Sequence, residues 1–268
     1  MVRVNTKRTF GYAIEGEWSG ECEDTLAQRW PDFVDPSKRL VKEAPFLKGL
    51  IKRYGTRVLD AAMGIGCESV FLATCGFQVT GNEISSSFRR IALARARLEN
   101  APMKVTAIDW RNLAKVFDSD SFDVVLLLGN SLCLMQELAD REATVINLKT
   151  VCQRGGVVVV DQRNFDYLFR DRERILAGYF RYHREAIYCG SEVVGYPVDI
   201  DVSRVRFAYE DVESKRLLGQ LDMHPFLNRE LIDLFENKGF SLDASLSDFR
   251  QKSFDPNSDF FIHVFRKA

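Results

Sequence analysis

At 268 residues, with 37 Lys and Arg against 38 Asp and Glu, the chain has a net charge of −1, which excludes the global field expected of a nucleic-acid or anionic-membrane binder. Apolar residues at 46% and charged residues at 28% fit one large globular domain, or one with an inserted subdomain, and exclude a disordered chain. No apolar run approaches the roughly 20 residues of a membrane span and the start MVRVNTKRTFGY lacks a signal-peptide core, so no membrane partner and a cytoplasmic location are expected.

In chain order, residues 1–55 read as a helical and irregular segment in which Tyr12 or Trp18 could belong to a lid, and Pro45 is expected to break or kink a helix from Ser37 to Tyr54. Short apolar or β-branched runs follow at 57–63, 77–83, 103–109, 122–130 and 156–161, with helix-compatible segments between most of them. From Ser85 to Asn100 the spacing predicts a helix with Ser85 as N-cap and an apolar face of Phe88, Ile91, Ala94 and Leu98. Such alternation predicts an α/β fold with a doubly wound, mostly parallel seven-stranded sheet, Rossmann-like, over 56–185 and 226–268. The alternating stretches in 186–225 read as an antiparallel β insertion after the fifth strand. A helix is expected at 228–238, followed by two strands, SLDASLSDF and DFFIHVF, which join without a helix and so pair antiparallel at an edge.

Cys22, Cys67, Cys75, Cys133, Cys152 and Cys189 form no CxxC pair and no run with His, so free thiols are expected and no metal site is signalled. His183 and His263 read as structural.

The strongest local signal is VLDAAMGIGCES, a strand entering a glycine turn and then a helix. Gly64 and Gly66 remove Cβ atoms where backbone would pass close to a ligand, and Asp60 stands at the strand tip. A dinucleotide site would place a third glycine where Ser69 stands, and the Walker lysine is absent. Glu83 ends the next strand, where a carboxylate can accept from both hydroxyls of a ribose; a surface Glu is the plainer alternative. At the third tip Asp109 and Trp110 suit an adenine, although Trp110 alone reads equally well as core.

These three tips together resemble the class I methyltransferases that bind S-adenosylmethionine. That resemblance implies S-adenosylmethionine as cofactor and S-adenosylhomocysteine as product. Asp60, Gly64 and Gly66 become the glycine-rich motif, Glu83 the ribose contact, Asp109 and Trp110 the adenine site, with Ala61, Ile84 and Leu128 among the cofactor contacts.

The valine run of GGVVVVDQRNFDYL ends in four polar residues, as a buried strand does at the rim of a parallel sheet. With LLLGNSLCLM, QRWPDFVD, IYCGSEV, MHPF and DFFIHV, it resembles the glycine N-methyltransferases. The bacterial and archaeal glycine/sarcosine N-methyltransferases that begin betaine synthesis are the nearer match, from about Gln28 to the C-terminus. The resemblance implies that Arg163 clamps a substrate carboxylate, a task suited to a planar guanidinium. It further implies that Asn130 contacts the amino acid and its amine, that Arg39 binds the carboxylate of the cofactor's methionine end, and that Tyr188 faces the transferred methyl. Read without it, Arg163 could form a structural ion pair with Asp161 or Asp166, Tyr188 could be core, and Arg39 could make a surface salt bridge.

Leu134, Phe33 and His224 depart from the family pattern, which has a histidine, an aromatic hydroxyl, and a Tyr or Phe there, around the substrate and methionine ends. The expected function is methyl transfer to the amine of glycine, with sarcosine as a further acceptor. Another small or natural-product amine, or a low-turnover regulatory protein that binds the cofactor, stand as alternatives, and a dinucleotide-dependent oxidoreductase is the fold-level rival. Homo-oligomerisation is left open.

Overall fold

The computed structural model describes residues 20–180, 190–250 and 253–268. Two helices come first, α1 (Gly20–Val34) and α2 (Pro36–Tyr54). Asp35 separates them with φ 45°, its carboxylate accepts the Lys38 N–H at 3.2 Å, and Pro36 occupies the first turn of α2. Contrary to the expected break, α2 runs unbroken through Pro45. Val41, whose carbonyl loses its N–H donor, and Pro45 are both exposed, so water can take that carbonyl.

The expected alternation follows: β1 (Arg57–Asp60), α3 (Cys67–Thr74), β2 (Gln78–Asn82), α4 (Ser86–Leu98), β3 (Lys104–Thr106), β4 (Phe122–Leu127), α5 (Leu138–Val151) and β5 (Cys152–Arg163). After α6 (Phe165–Arg170) and α7 (Arg172–Arg174) come β6 (Val193–Asp201), β7 (Arg204–Asp211) and β8 (Leu217–Met223), then α8 (Glu230–Glu236), β9 (Phe240–Leu246) and β10 (Phe260–Lys267). One sheet has the order β3-β2-β1-β4-β5-β10-β9, with β1 to β5 parallel and β10 antiparallel to both β5 and β9. The second is the antiparallel sheet β6-β7-β8. This is the doubly wound sheet with an edge hairpin and an antiparallel insertion that the sequence predicts.

Val157 to Val160 and Val124 to Leu127 show no accessible surface, because helices cover both faces of the central strands. Each such side chain contributes on the order of 1.5–3 kcal/mol relative to leaving it exposed. The valines thus fix β5 at the centre and deliver its polar end to the rim. Strand order reverses between β1 and β4, which opens a crevice beyond their carboxyl ends.

One predicted face is wrong. On α4 the buried residues are Ser87, Ala92 and Ala96, with Phe88 and Ile91 half-buried, whereas Ala94 is exposed and Leu98 is 83% exposed. The helix lies close to its neighbours through small residues: Ser87 hydrogen-bonds Asp24 of α1, and Ala92 faces the turn at Gly66. Among the described residues no helix is long and apolar enough to cross a membrane.

Candidate active site

The crevice holds a cavity of about 1160 Å³, mouth included, walled by the tips of β1, β2 and β4 on one side and by Tyr209, Leu221 and Met223 of the second sheet on the other. Its floor is the turn after β1. Ala61 N–H donates to Leu126 O at 2.8 Å and Met63 N–H to Asn82 O at 3.0 Å, which ties the turn to both neighbouring strands. Gly64 (φ 54°) faces open space within the cavity, as expected for close ligand approach. Gly66 (φ 79°) does not line it; a Cβ there would sit 3.0 Å from the Ala92 Cβ. It lets α3 and α4 pack closely.

Asp60 also lies off the cavity wall. Its carboxylate accepts from the Ser69 hydroxyl, and burial, with Glu68 nearby, pushes its pKa to about 7. Glu83 lines the cavity, and its two oxygens accept the Gly64 N–H at 2.9 Å and the Ser85 N–H at 2.8 Å, so its charge is held at a fixed point. Trp110 lines the cavity with its indole N–H on Ala61 O at 2.6 Å, and Ala61, Ile84 and Leu128 complete this end. Asp109 does not: it caps the turn Trp110–Lys115 through the Arg111 N–H and pairs with the Arg111 guanidinium at 2.5 Å. Against the opposing effect of burial, those bonds hold it below the usual carboxylate range.

Arg39 reaches the cavity from α2 as part of a buried cluster. Its Nε lies 2.9 Å from Glu43 and 2.7 Å from Glu68. Burial raises Glu43 well above its ordinary value despite Arg39, and Glu68 adds to that. Asp161, likewise raised by burial, accepts the Asn130 N–H at 2.6 Å. Glu43 stands one helical turn after Arg39 on α2, a spacing visible in the sequence, whereas Glu68 comes from α3 and is inconspicuous there.

At the far end Arg163 closes β5, opposite Phe260 of β10, and only 2% of it is exposed. Its guanidinium carbon lies 4.2 Å from the Phe207 ring centroid and 4.8 Å from that of Phe260. Asn130, in the left-handed region at φ 57°, lines the cavity; its Oδ1 accepts the Arg163 N–H at 2.9 Å and its Nδ2 donates to the Met223 sulfur at 3.4 Å. Asn130 therefore ties β4, β5 and β8 together, and Arg163 stands behind it rather than in the wall. Of the three departures only Leu134 lines the cavity. Phe33 packs on Trp30 and Tyr209, each at 5.1 Å, and His224 pairs with Glu230 at 2.6 Å. Tyr188, His183, Tyr12 and Trp18 lie outside the described residues. Trp30, Phe88, Tyr209 and Leu221 are wall residues that the sequence did not single out for this role, although Trp30 sits within QRWPDFVD.

A switch-point cavity with a glycine turn, a fixed carboxylate at the second tip and an indole beyond the third belongs to a class I S-adenosylmethionine-dependent methyltransferase. Residues 58–156 match the family described as a methyltransferase domain. A S-adenosylmethionine-dependent methyltransferase from Clostridium acetobutylicum shares the fold, with a TM-score of 0.69 and 12% identity over 92% of this chain and 99% of that one. The glycine/sarcosine N-methyltransferase of Halorhodospira halochloris is 31% identical over 93% of this chain and 90% of its own length. That of Aphanothece halophytica is 28% identical over 93% and 91%. The chain belongs to the glycine/sarcosine N-methyltransferase family, whose members are S-adenosylmethionine-dependent N-methyltransferases.

Proposed function

We propose that the chain methylates the amine of glycine, with sarcosine as a further acceptor. The observation that carries this reading is Arg163: a buried guanidinium at the rim of the sheet, held through its backbone by the cavity residue Asn130. A dry, fixed guanidinium binds a carboxylate bidentately and orients it. The names of the relatives, glycine/sarcosine N-methyltransferases, support the same acceptor.

The cavity suits S-adenosylmethionine on its own chemistry. Gly64 leaves room at the turn, Glu83 offers carboxylate lone pairs to a ribose, Trp110 and Ile84 give an apolar wall for a base, and Arg39 presents a cation to a carboxylate. When bound, the cofactor supplies an electrophilic methyl on a sulfonium and leaves as S-adenosylhomocysteine. The chain's residues orient: Arg163 fixes the acceptor's carboxylate, and Asn130 keeps Arg163 in register with the cavity. The second sheet, through Tyr209, Leu221 and Met223, covers the site against water. Positioning of this kind can lower a barrier by roughly 7–11 kcal/mol, so a neutral amine needs no strong base once its proton has passed to solvent.

The test is mass-spectrometric detection of methylation with S-adenosylmethionine and a panel of glycine, sarcosine, dimethylglycine and amines lacking a carboxylate. Product from glycine is expected, and Arg163→Ala should lower kcat/KM for it by roughly a hundredfold or more at unchanged cofactor affinity, with Arg163→Lys recovering little. Undiminished glycine turnover in Arg163→Ala would sink the clamp. Leu134, an aliphatic wall residue where the family pattern has a histidine, favours a second reading, a different small amine; product only from carboxylate-free amines would select it.

A further inference from the structure

We infer that Phe207, on the inserted sheet, is a positioning residue for the acceptor: its ring packs on the Arg163 guanidinium and holds it in place, so that the insertion helps select carboxylate-bearing amines. The inference rests on the proposed role of Arg163 and goes on to say what holds that side chain.

Two rings from different sheets lie against the guanidinium. Phe260 is its cross-strand partner on β10, and Phe207 comes from β7, fully buried, at 4.2 Å. A guanidinium carries all its N–H donors in its plane, while its faces are poorly hydrated and attracted to aromatic quadrupoles. Two rings against the guanidinium carbon restrict the movement of the side chain's end. A two-oxygen anion is the partner that such coplanar donors match. Phe207 is itself held: Phe180 packs edge-on at 6.0 Å, and Pro197 and Leu221 flank it on the neighbouring strands. Two residues along the same face of β7, Tyr209 lines the cavity, as does Leu221 of β8. One face of the insertion therefore both walls the cavity and reaches the arginine behind it.

The experiment compares the full chain with Phe207→Leu, Phe207→Tyr and Phe260→Leu, measuring the KM for glycine, the cofactor Kd by calorimetry, and the melting temperature. Phe207→Leu, which removes the ring, should raise the glycine KM by about tenfold with the cofactor Kd unchanged. Phe207→Tyr, which keeps the ring, should restore most of that loss, and Phe260→Leu should act in the same direction as Phe207→Leu. Should Phe207→Leu fail to fold, the KM of Phe260→Leu decides. A glycine KM unmoved by the loss of either ring overturns the positioning role while leaving the Arg163 clamp intact. A parallel weakening of cofactor binding also overturns it, because it marks a general packing defect. If the unaltered protein turns over no carboxylate-bearing amine, the clamp fails first and this inference with it.

Discussion

Gly64 and Gly66 both adopt left-handed backbone, so alanine at either is strained by roughly 1–2 kcal/mol. Their surroundings separate the consequences. A methyl at Gly66 meets Ala92 and Val70, so Gly66→Ala should lower stability by about 2–3 kcal/mol in a denaturant melt. At Gly64 the methyl enters open cavity, so Gly64→Ala should keep more stability yet bind S-adenosylmethionine at least tenfold more weakly by calorimetry; equal melts and equal affinities would refute the division. The pair of glycines is visible in the sequence, but their separate duties depend on α4, whose approach no local pattern reports. Asp60 and Asp109 depend on their surroundings in a related way. Strand-tip carboxylates look like offers to a ligand, yet each is taken by a near neighbour, Ser69 and Arg111 respectively. The second of these is legible after the fact as an Asp two residues before the N–H it caps.

For whole elements, the strands are more legible than the helical faces. A run such as Val157–Val160 has one reading, whereas α4 contains enough leucine, isoleucine and alanine to suggest a face that the fold does not use. Periodicity ranks large side chains above small ones, but a helix docked against a glycine turn and another helix buries its small residues. Ala92→Leu should therefore destabilise by about 1–3 kcal/mol, because the added carbons collide with the Gly66 turn, while Leu98→Glu should change stability by less than about 0.5 kcal/mol. Urea titrations of both variants check this, and a large loss in Leu98→Glu would restore the predicted face. The insertion shows the same limit: its strands are legible from alternation, but not that its inner face reaches Arg163, since that contact joins positions 44 residues apart.

Across the whole molecule, several buried groups shape the acid–base behaviour, and two of them, His263 and Asp60, act in opposite directions. His263 lies between β5 and β9 with Ser245 on its Nδ1, and burial depresses its pKa from 6.5 to about 4. Between those values the unfolded chain holds a proton that the folded chain does not, so this group's contribution to stability is complete above 6.5 and is lost as pH falls toward 4. Asp60 is raised from 3.8 to about 7, so within that window the folded chain holds the extra proton and stability is lost as pH rises. Each effect can reach about 1.4 kcal/mol per pH unit where the two states differ by a whole proton. Chemical denaturation of the cofactor-free protein at pH 4 to 7.5 should resolve them by difference. The destabilisation caused by His263→Asn should shrink as pH falls from 6.5 toward 4. The stability of wild type relative to Asp60→Asn should be greatest near pH 4 and decline toward 7. Parallel curves for all three proteins would mean that neither group changes its proton occupancy on folding. The sequence shows a histidine in a strand and an aspartate at a strand tip; their opposed effects arise because one sits among phenylalanines on a strand paired on both sides and the other beside the Glu68 and Arg39 cluster. Glu43 and Asp161, also raised by burial, act in the same direction as Asp60, so the buried acids together oppose His263.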